Sequence, residues 1–250
     1  MYPILIEIGP FALSSLYFFG IIGIILATKV FLHMAQKRKL KLNLFFEYPL
    51  RLILWPIIIG KAIALMPDIF TLDIFYFWDQ RYSFWAALIT FVLLIFLLLH
   101  KKKESFLPWA DALSIPFLIE LIFGNIGKYL DGAGYGQPTA LPWGVTFENI
   151  SVSYTVPIHP TQIYQLIYVL LILFSSIYIS KKYQYLNRDG DLFFYCTFAY
   201  SACRFIEEFF RGDNVLMIGS LRLNQVIALL IAIFIAIFFF TKNKNKLSIW

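Results

Sequence analysis

The stretch WADALSIPFLIELIFGNIGKYLDGAGYG (Trp109–Gly136) decides the fold. Its apolar part, Trp109–Leu130, is long enough to cross about 30 Å of hydrocarbon. Its end, GNIGKYLDGAGYG (Gly124–Gly136), is punctuated by glycines around one lysine and one aspartate. Polar residues at the end of a membrane helix are costly in lipid, and glycine lets backbone come close to a ligand, so this end marks a candidate site.

The apolar pattern recurs on both sides of that stretch. The chain is 60% hydrophobic and 14% charged with 27 Phe and 15 Tyr, too apolar for a soluble domain of 250 residues. Further apolar segments lie near Phe11–Leu32, Tyr48–Met66, Ser83–Leu99, Thr161–Ser180, Asp191–Ile206 and Val226–Thr241, making seven spans in all. The expected fold is all-α, a polytopic integral membrane protein of one domain over residues 1–250. Its largest non-spanning segment, 131–158, carries Gly134, Gly136, Pro138, Pro142, Gly144 and Pro157 around Trp143, Phe147 and Tyr154, which reads as an ordered external loop or small subdomain.

Basic residues set the expected orientation. Lys37, Arg38, Lys39 and Lys41 follow the first span, Lys101–Lys103 the third, Lys181, Lys182 and Arg188 the fifth, and Lys242, Lys244 and Lys246 the seventh. Arg81 follows the second span, and nothing basic lies between Asp131 and His159. The amino terminus is therefore expected outside and the carboxyl terminus in the cytoplasm. The net charge of +6 is then a topology signal and gives no support to nucleic-acid binding. Glu7 and the lack of a basic start argue against a cleaved signal peptide, so the first span is expected to stay. Cys196 and Cys203 share one predicted helix about 10 Å apart along its axis, too far for a mutual disulfide.

Charged residues near these spans are the candidates for chemistry. Tyr200, Arg204, Glu208 and Arg211 fall at helical spacing on one predicted face, with Glu207 beside them. Either Arg204, Glu208 and Arg211 form an ion-pair ladder, or Arg204 offers its planar fork to a phosphate. IHPTQIYQ (Ile158–Gln165) makes a polar helix start with Pro160 near its first turn; His159 there is either structural or an acid–base group, and Gln162 and Gln165 read as polar lining. Lys128 and Asp131 either pair with each other or face a ligand. Glu120 lies deeper and needs a partner or a proton, with Lys61 of the second span as a candidate counter-ion or a snorkelling residue. On the outer side no His, Cys or carboxylate group has metal-ligand spacing, and no soluble cofactor motif is present, so no metal or cofactor is expected.

Three of these stretches, in order along the chain, resemble those of the prolipoprotein diacylglyceryl transferase family. GNIGKYLDGAGYG falls where that family carries GR.GNF.N.E..G, HPTQIY resembles HP[ST]Q.YE, and YSACRFIEEFFR (Tyr200–Arg211) resembles YG..R...EFFR. The likeness runs from IGPFAL (Ile8–Leu13) to the last span. It implies a seven-span enzyme of the bacterial inner membrane that moves the diacylglyceryl group of phosphatidylglycerol, or a related phospholipid, to the lipobox cysteine of a secreted precursor. The product is a thioether, with glycerol phosphate released. Such chemistry needs a base to make the thiolate and cations to hold the phosphate as charge grows on the leaving oxygen. In those terms Arg204, His159, Lys128 and Glu208 are the catalytic candidates. Asn125, Asp131, Gly136, Tyr200, Lys61, Gln162 and Arg211 are the substrate-binding ones.

The chain departs from the family pattern at particular positions. The family's signature arginine is Asn125 here, its two asparagines are Lys128 and Asp131, and its glutamate is Ala133. SFWAA (Ser83–Ala87) stands where the family has SFHGG, so its histidine is Trp85, although the preceding Trp78 and Asp79 fit. A family arginine on the second span is Lys61. Two accounts fit: an active transferase in which Lys128 supplies the cation missing at Asn125, or a paralogue that keeps the lipid cavity and binds or moves phospholipid or modifies another acceptor.

Overall fold

The computed structural model describes residues 2–8, 11–43, 47–64, 84–148, 152–183, 188–213 and 215–247. Seven long helices dominate these residues: α1 (Ser15–Lys37), α2 (Pro49–Ala64), α3 (Phe84–Lys101), α4 (Phe106–Asp131), α5 (Thr161–Tyr183), α6 (Asp191–Glu207) and α7 (Leu223–Leu247). Each coincides with one of the expected apolar segments. Three of them, Ser15–Lys37, Phe106–Asp131 and Thr161–Lys182, are long and apolar enough to cross a membrane. Met66, Trp78, Asp79, Arg81 and Ser83 lie outside the described residues, and the Trp85 side chain is likewise not described.

The first helix starts later than the hydropathy suggests. Ile4–Ile8 (β1) pairs antiparallel with Phe11–Ser14 (β2), so Phe11 belongs to a strand. The turn into α1 is fixed by Ser15, whose N–H donates to the Pro3 carbonyl (2.9 Å) and whose hydroxyl donates to the Tyr2 carbonyl. An apolar run alone cannot separate a β-branched strand from the helix that follows it.

The chain divides into two compact units, Met1–Met34 with Ala110–Trp250, and Ala35–Trp109. In the second, α2 packs on α3, and Lys41–Glu104 (2.6 Å) and Lys102–Glu47 (2.7 Å) ion pairs tie its polar segments. The first unit is built on α4, where 50% of the apolar window is buried, against 17% in α1 and 22% in α5. Ile115, Leu118 and Leu121 of α4 pack with Val169 and Ile172 of α5 and with Leu192 and Cys196 of α6, while Val30 and Met34 of α1 cover them. Cys196 and Cys203 are both free. Outward faces stay greasy: Ile24 and Ile25, Leu171 and Phe174, and Leu230 and Phe234 are exposed. Such continuous apolar faces are stable against lipid rather than water.

A buried carboxylate sets the start of α6. Asp111, on α4, accepts the Gly190 N–H through Oδ2 and the Phe193 N–H through Oδ1, both at 2.8 Å. Two orphan donors of the first turn are thereby satisfied from another helix, and the negative charge suits the positive end of the helix dipole. This contact fixes the axial position of α6 and of the charged residues at its far end.

Between α4 and α5 the described residues pack around a small core of Tyr135, Phe147, Val152 and Ile158, with the Tyr135 hydroxyl 2.8 Å from Ser153 Oγ. Pro138 and Val145 bridge to Ile158. The same segment also reaches the end of α6. Gln137 N–H donates to the Phe210 carbonyl (2.8 Å) and Gly212 N–H to the Tyr135 carbonyl (3.0 Å), while His159 N–H donates to the Gln137 carbonyl (2.9 Å). Gly136 and Gly212 lie where these backbones touch. A Cβ on Gly136 would meet the His159 carbonyl oxygen and would come within 2.6 Å of His159 Cβ and 2.8 Å of the Phe210 oxygen. A Cβ on Gly212 would meet the Gly136 oxygen. Only glycine fits on either side of this contact.

Candidate functional site

Backbone pairing at Gly136 reshapes the predicted charged face. The helix ends at Glu207, Glu208–Phe210 turn as a short 3-10 segment, and Arg211 is extended at φ −74°, ψ 135°. Tyr200, Arg204, Glu208 and Arg211 therefore do not lie on one continuous helical face. The local spacing favoured helix, but the last residues leave it to hydrogen-bond with residues 135–137.

Around this break lies a buried charge network. The Arg204 guanidinium donates through Nη1 to Glu207 Oε1 (2.7 Å) and through Nη2 to Glu208 Oε1. Glu208 is 0% exposed; its Oε1 also accepts from Asn224 Nδ2 (3.1 Å), and its Oε2 accepts from Arg222 Nε (2.6 Å). Glu207 Oε2 accepts the Tyr168 hydroxyl (2.8 Å). Arg211 grips Asp213 with two hydrogen bonds, Nε to Oδ1 (2.9 Å) and Nη2 to Oδ2 (2.5 Å), and lies 3.8 Å from Glu207. Of the expected ladder, the Arg204–Glu208 rung forms, while Arg211 turns to Asp213 and Glu207. Burial works against charge on Asp213, yet the Arg211 hydrogen bonds and the nearby Arg211 and Arg222 charges hold its carboxyl below the usual carboxylate range.

Lys128, in the last turn of α4, sits in the field of this network. Arg211 and Arg204 repel it, and Glu207 and Asp213 attract it. Among the described residues no carboxylate forms an ion pair with its ammonium. Asn125, one turn earlier, is buried; its Nδ2 donates to the Leu121 carbonyl (2.7 Å), and its Oδ1 has no partner among the described residues. Gln162 repeats the pattern, with Nε2 donating to the Ala133 carbonyl (2.9 Å) and a buried Oε1 left over. Gln165 Nε2 donates to the Tyr200 hydroxyl (3.0 Å), whose ring packs against Phe117 and Tyr168. Asp131 is buried at the end of α4, and Lys61 is buried on α2 in the other unit.

Beside the network opens an apolar cleft of about 410 Å³ lined by Leu141, Trp143, His159, Tyr164, Tyr168, Cys203, Ile206, Glu207 and Phe210. Glu207 belongs to both. The Tyr164 hydroxyl accepts the Trp143 indole N–H (2.8 Å) and lies 3.0 Å from His159 Nδ1, to which it can give its own proton. Burial lowers the proton affinity of His159 below the usual histidine value, which favours the neutral ring.

Sequence reading found Arg204, Glu208, Arg211 and Lys128 and missed Arg222, Asp213 and Asn224. Arg222 sits 14 residues beyond Glu208 and Asp213 two beyond Arg211. A usable signal was present: Arg211 and Arg222 are basic residues in a loop that the orientation count left out, directly before an apolar span. Glu207 was seen but set off the charged face, whereas it joins Arg204, Arg211 and Tyr168.

The fold and the site define a class: an apolar helical protein, with helices long enough to cross a bilayer, that keeps a buried arginine–carboxylate network next to a greasy cleft. The model of the prolipoprotein diacylglyceryl transferase family matches residues 3–241, and the chain belongs to that family. It is 29% identical to the phosphatidylglycerol–prolipoprotein diacylglyceryl transferase of Clostridium tetani, over 94% of this chain and 96% of that protein. Similar likeness is found with the proteins of the same name from Polynucleobacter necessarius (30% identical; 75% of this chain, 72% of the relative) and Corynebacterium diphtheriae (22%; 97% and 93%).

Proposed function

We propose that this protein transfers the diacylglyceryl group of phosphatidylglycerol to the cysteine thiol of a prolipoprotein. Family membership and the names of its relatives support the reaction. In that step the sulfur of a thiolate forms a bond to the glyceryl carbon that carries the phosphate. The carbon–oxygen bond breaks, and its electron pair leaves with glycerol phosphate, so negative charge accumulates on phosphate oxygens. The observation that carries the reading is Lys128, an ammonium without a carboxylate partner among the described residues, in the field of Arg204 and Arg211.

Lys128 and Arg204 hold the phosphate, and Arg211 adds positive potential. Glu208 and Tyr200 orient the surroundings of Arg204. The leftover acceptors on Asn125 and Gln162 suit the hydroxyls of a glycerol headgroup. Gly136 and Asp131 shape the polar end, and the cleft accommodates acyl chain. His159, kept neutral, is the base that takes the thiol proton. The same reading places the protein in the bacterial inner membrane with seven spans, the amino terminus outside and the carboxyl terminus in the cytoplasm.

Expression in cells depleted of their own transferase tests this. With asparagine at 125 and tryptophan at 85, one electrostatic donor alone being worth about 3 kcal/mol, weak rescue is expected, and none from Arg204→Ala. Equal rescue by the two proteins would overturn the site. A protein that is inserted and binds phosphatidylglycerol yet yields no lipidated precursor would be the lipid-binding paralogue.

A further inference from the structure

Arg222 has no assigned role, and its side chain is the most connected in the network. From the hairpin of Met217–Ile218 (β3) and Leu221–Arg222 (β4), it donates through Nε to Glu208 Oε2 (2.6 Å) and through Nη1 to the Arg211 carbonyl (3.2 Å). Its Nη2 donates to the Asp213 carbonyl and to Asp213 Oδ1, both at 2.8 Å. Its own backbone is held by Gln225, whose Oε1 accepts the Arg222 N–H (2.9 Å). One planar fork thus braces the carboxylate that holds Arg204 and the turn that aims Arg211.

The charges linked by ion pairs add up simply. Arg204, Arg211 and Arg222 contribute +3, and Glu207, Glu208 and Asp213 contribute −3, so the linked set is neutral (3 − 3 = 0). Lys128 makes no ion pair with this set. It lies in the last turn of α4, just before Gly134, where an added Cβ would come within 3.0 Å of Arg211 Nη1. It is then a surplus cation beside the linked charges, drawn by Glu207 and Asp213. A phosphodiester headgroup carries a single negative charge, which matches that surplus. Without Arg222 the linked set would be −1, and Lys128, which feels the Glu207 and Asp213 charges, would be drawn to neutralise it.

We propose that Arg222 is a positioning residue that neutralises the carboxylate network and so keeps the Lys128 ammonium available to the anionic lipid headgroup. It touches no reacting atom; it acts through Glu208, Asp213 and Lys128. This rests on the transferase reading above and adds to it the reason that the site selects an anionic lipid.

The test is steady-state kinetics of the full-length protein in mixed micelles of phosphatidylglycerol with a lipobox peptide. Arg222→Gln should raise KM for phosphatidylglycerol about tenfold or more, the worth of one charge-assisted hydrogen bond. Arg222→Lys should keep KM near the wild-type value while kcat falls, because charge remains and the fork is lost. Arg222→Gln combined with Asp213→Asn restores the balance, with Arg204 and Arg211 against Glu207 and Glu208, and should bring KM back toward wild type. A purely structural role would lower the active fraction, and with it kcat, at constant KM. Unchanged KM in Arg222→Gln, or no recovery in the double variant, overturns the inference. Absence of product from the wild type overturns the transferase reading instead.

Discussion

Replacing Glu208 by glutamine is the sharpest perturbation of the network. Three donors converge on this fully buried carboxylate: Arg204 Nη2 and Asn224 Nδ2 on Oε1, and Arg222 Nε on Oε2. Glutamine has the same shape but only one acceptor oxygen. If that oxygen takes the Oε1 position, the amide nitrogen faces Arg222; if it is turned over, Arg204 and Asn224 lose their acceptor. The first arrangement costs less, yet it still leaves a guanidinium facing a donor in a buried site. Breaking a buried ion pair from one side costs about 3–5 kcal/mol. At about 2–4 °C per kcal/mol for a chain of this size, the unfolding midpoint should drop by roughly 6–20 °C. Tryptophan fluorescence during a thermal scan in detergent reads this directly, and diacylglyceryl transfer by the folded fraction should fall as well. A midpoint within about 2 °C of wild type would refute the assignment of Glu208 as the shared buried acceptor.

Gly136→Ala should destabilise the protein by about 1–3 kcal/mol, because its Cβ would press on backbone at His159 and Phe210; urea unfolding measures it. For His159, a proton affinity lowered in the folded state means that the unfolded chain binds the proton more readily. Stability is therefore full above the usual histidine value, about 6.5, and falls as pH drops below it. His159→Gln should flatten that part of a melting-temperature–pH profile, and an unchanged slope would contradict the burial of the ring. Cys203 lines the cleft, so an apolar maleimide should label it and block transfer, with phosphatidylglycerol slowing the labelling. Cys203→Ser should be indifferent to the reagent.

The helical elements were legible because hydropathy carries them: Trp109–Leu130 became Phe106–Asp131, and Asp191–Ile206 became Asp191–Glu207. The β1–β2 hairpin was not, since Phe11–Leu13 is as apolar as the helix after it. Local periodicity also found Arg204 and Glu208, four residues apart on one helix-and-turn segment. It could not find that Arg211 leaves the helix, because the cause is a hydrogen-bonded backbone segment some 75 residues earlier, around Gly136. Arg222 and Asp213 escaped for the same reason, as their meaning depends on which buried carboxylate and guanidinium the fold brings beside them. The resemblance identified the family and pointed to Asn125 and Lys128, and the structure adds that the latter stands in a field of paired arginines.

The most direct measurement is mass spectrometry of a lipobox peptide incubated with the purified protein and phosphatidylglycerol vesicles. The account predicts a diacylglyceryl thioether on the cysteine, one glycerol phosphate released for each thioether formed, and loss of both in Arg204→Ala. Vesicles whose lipid binds the protein while the cysteine stays unmodified would contradict it.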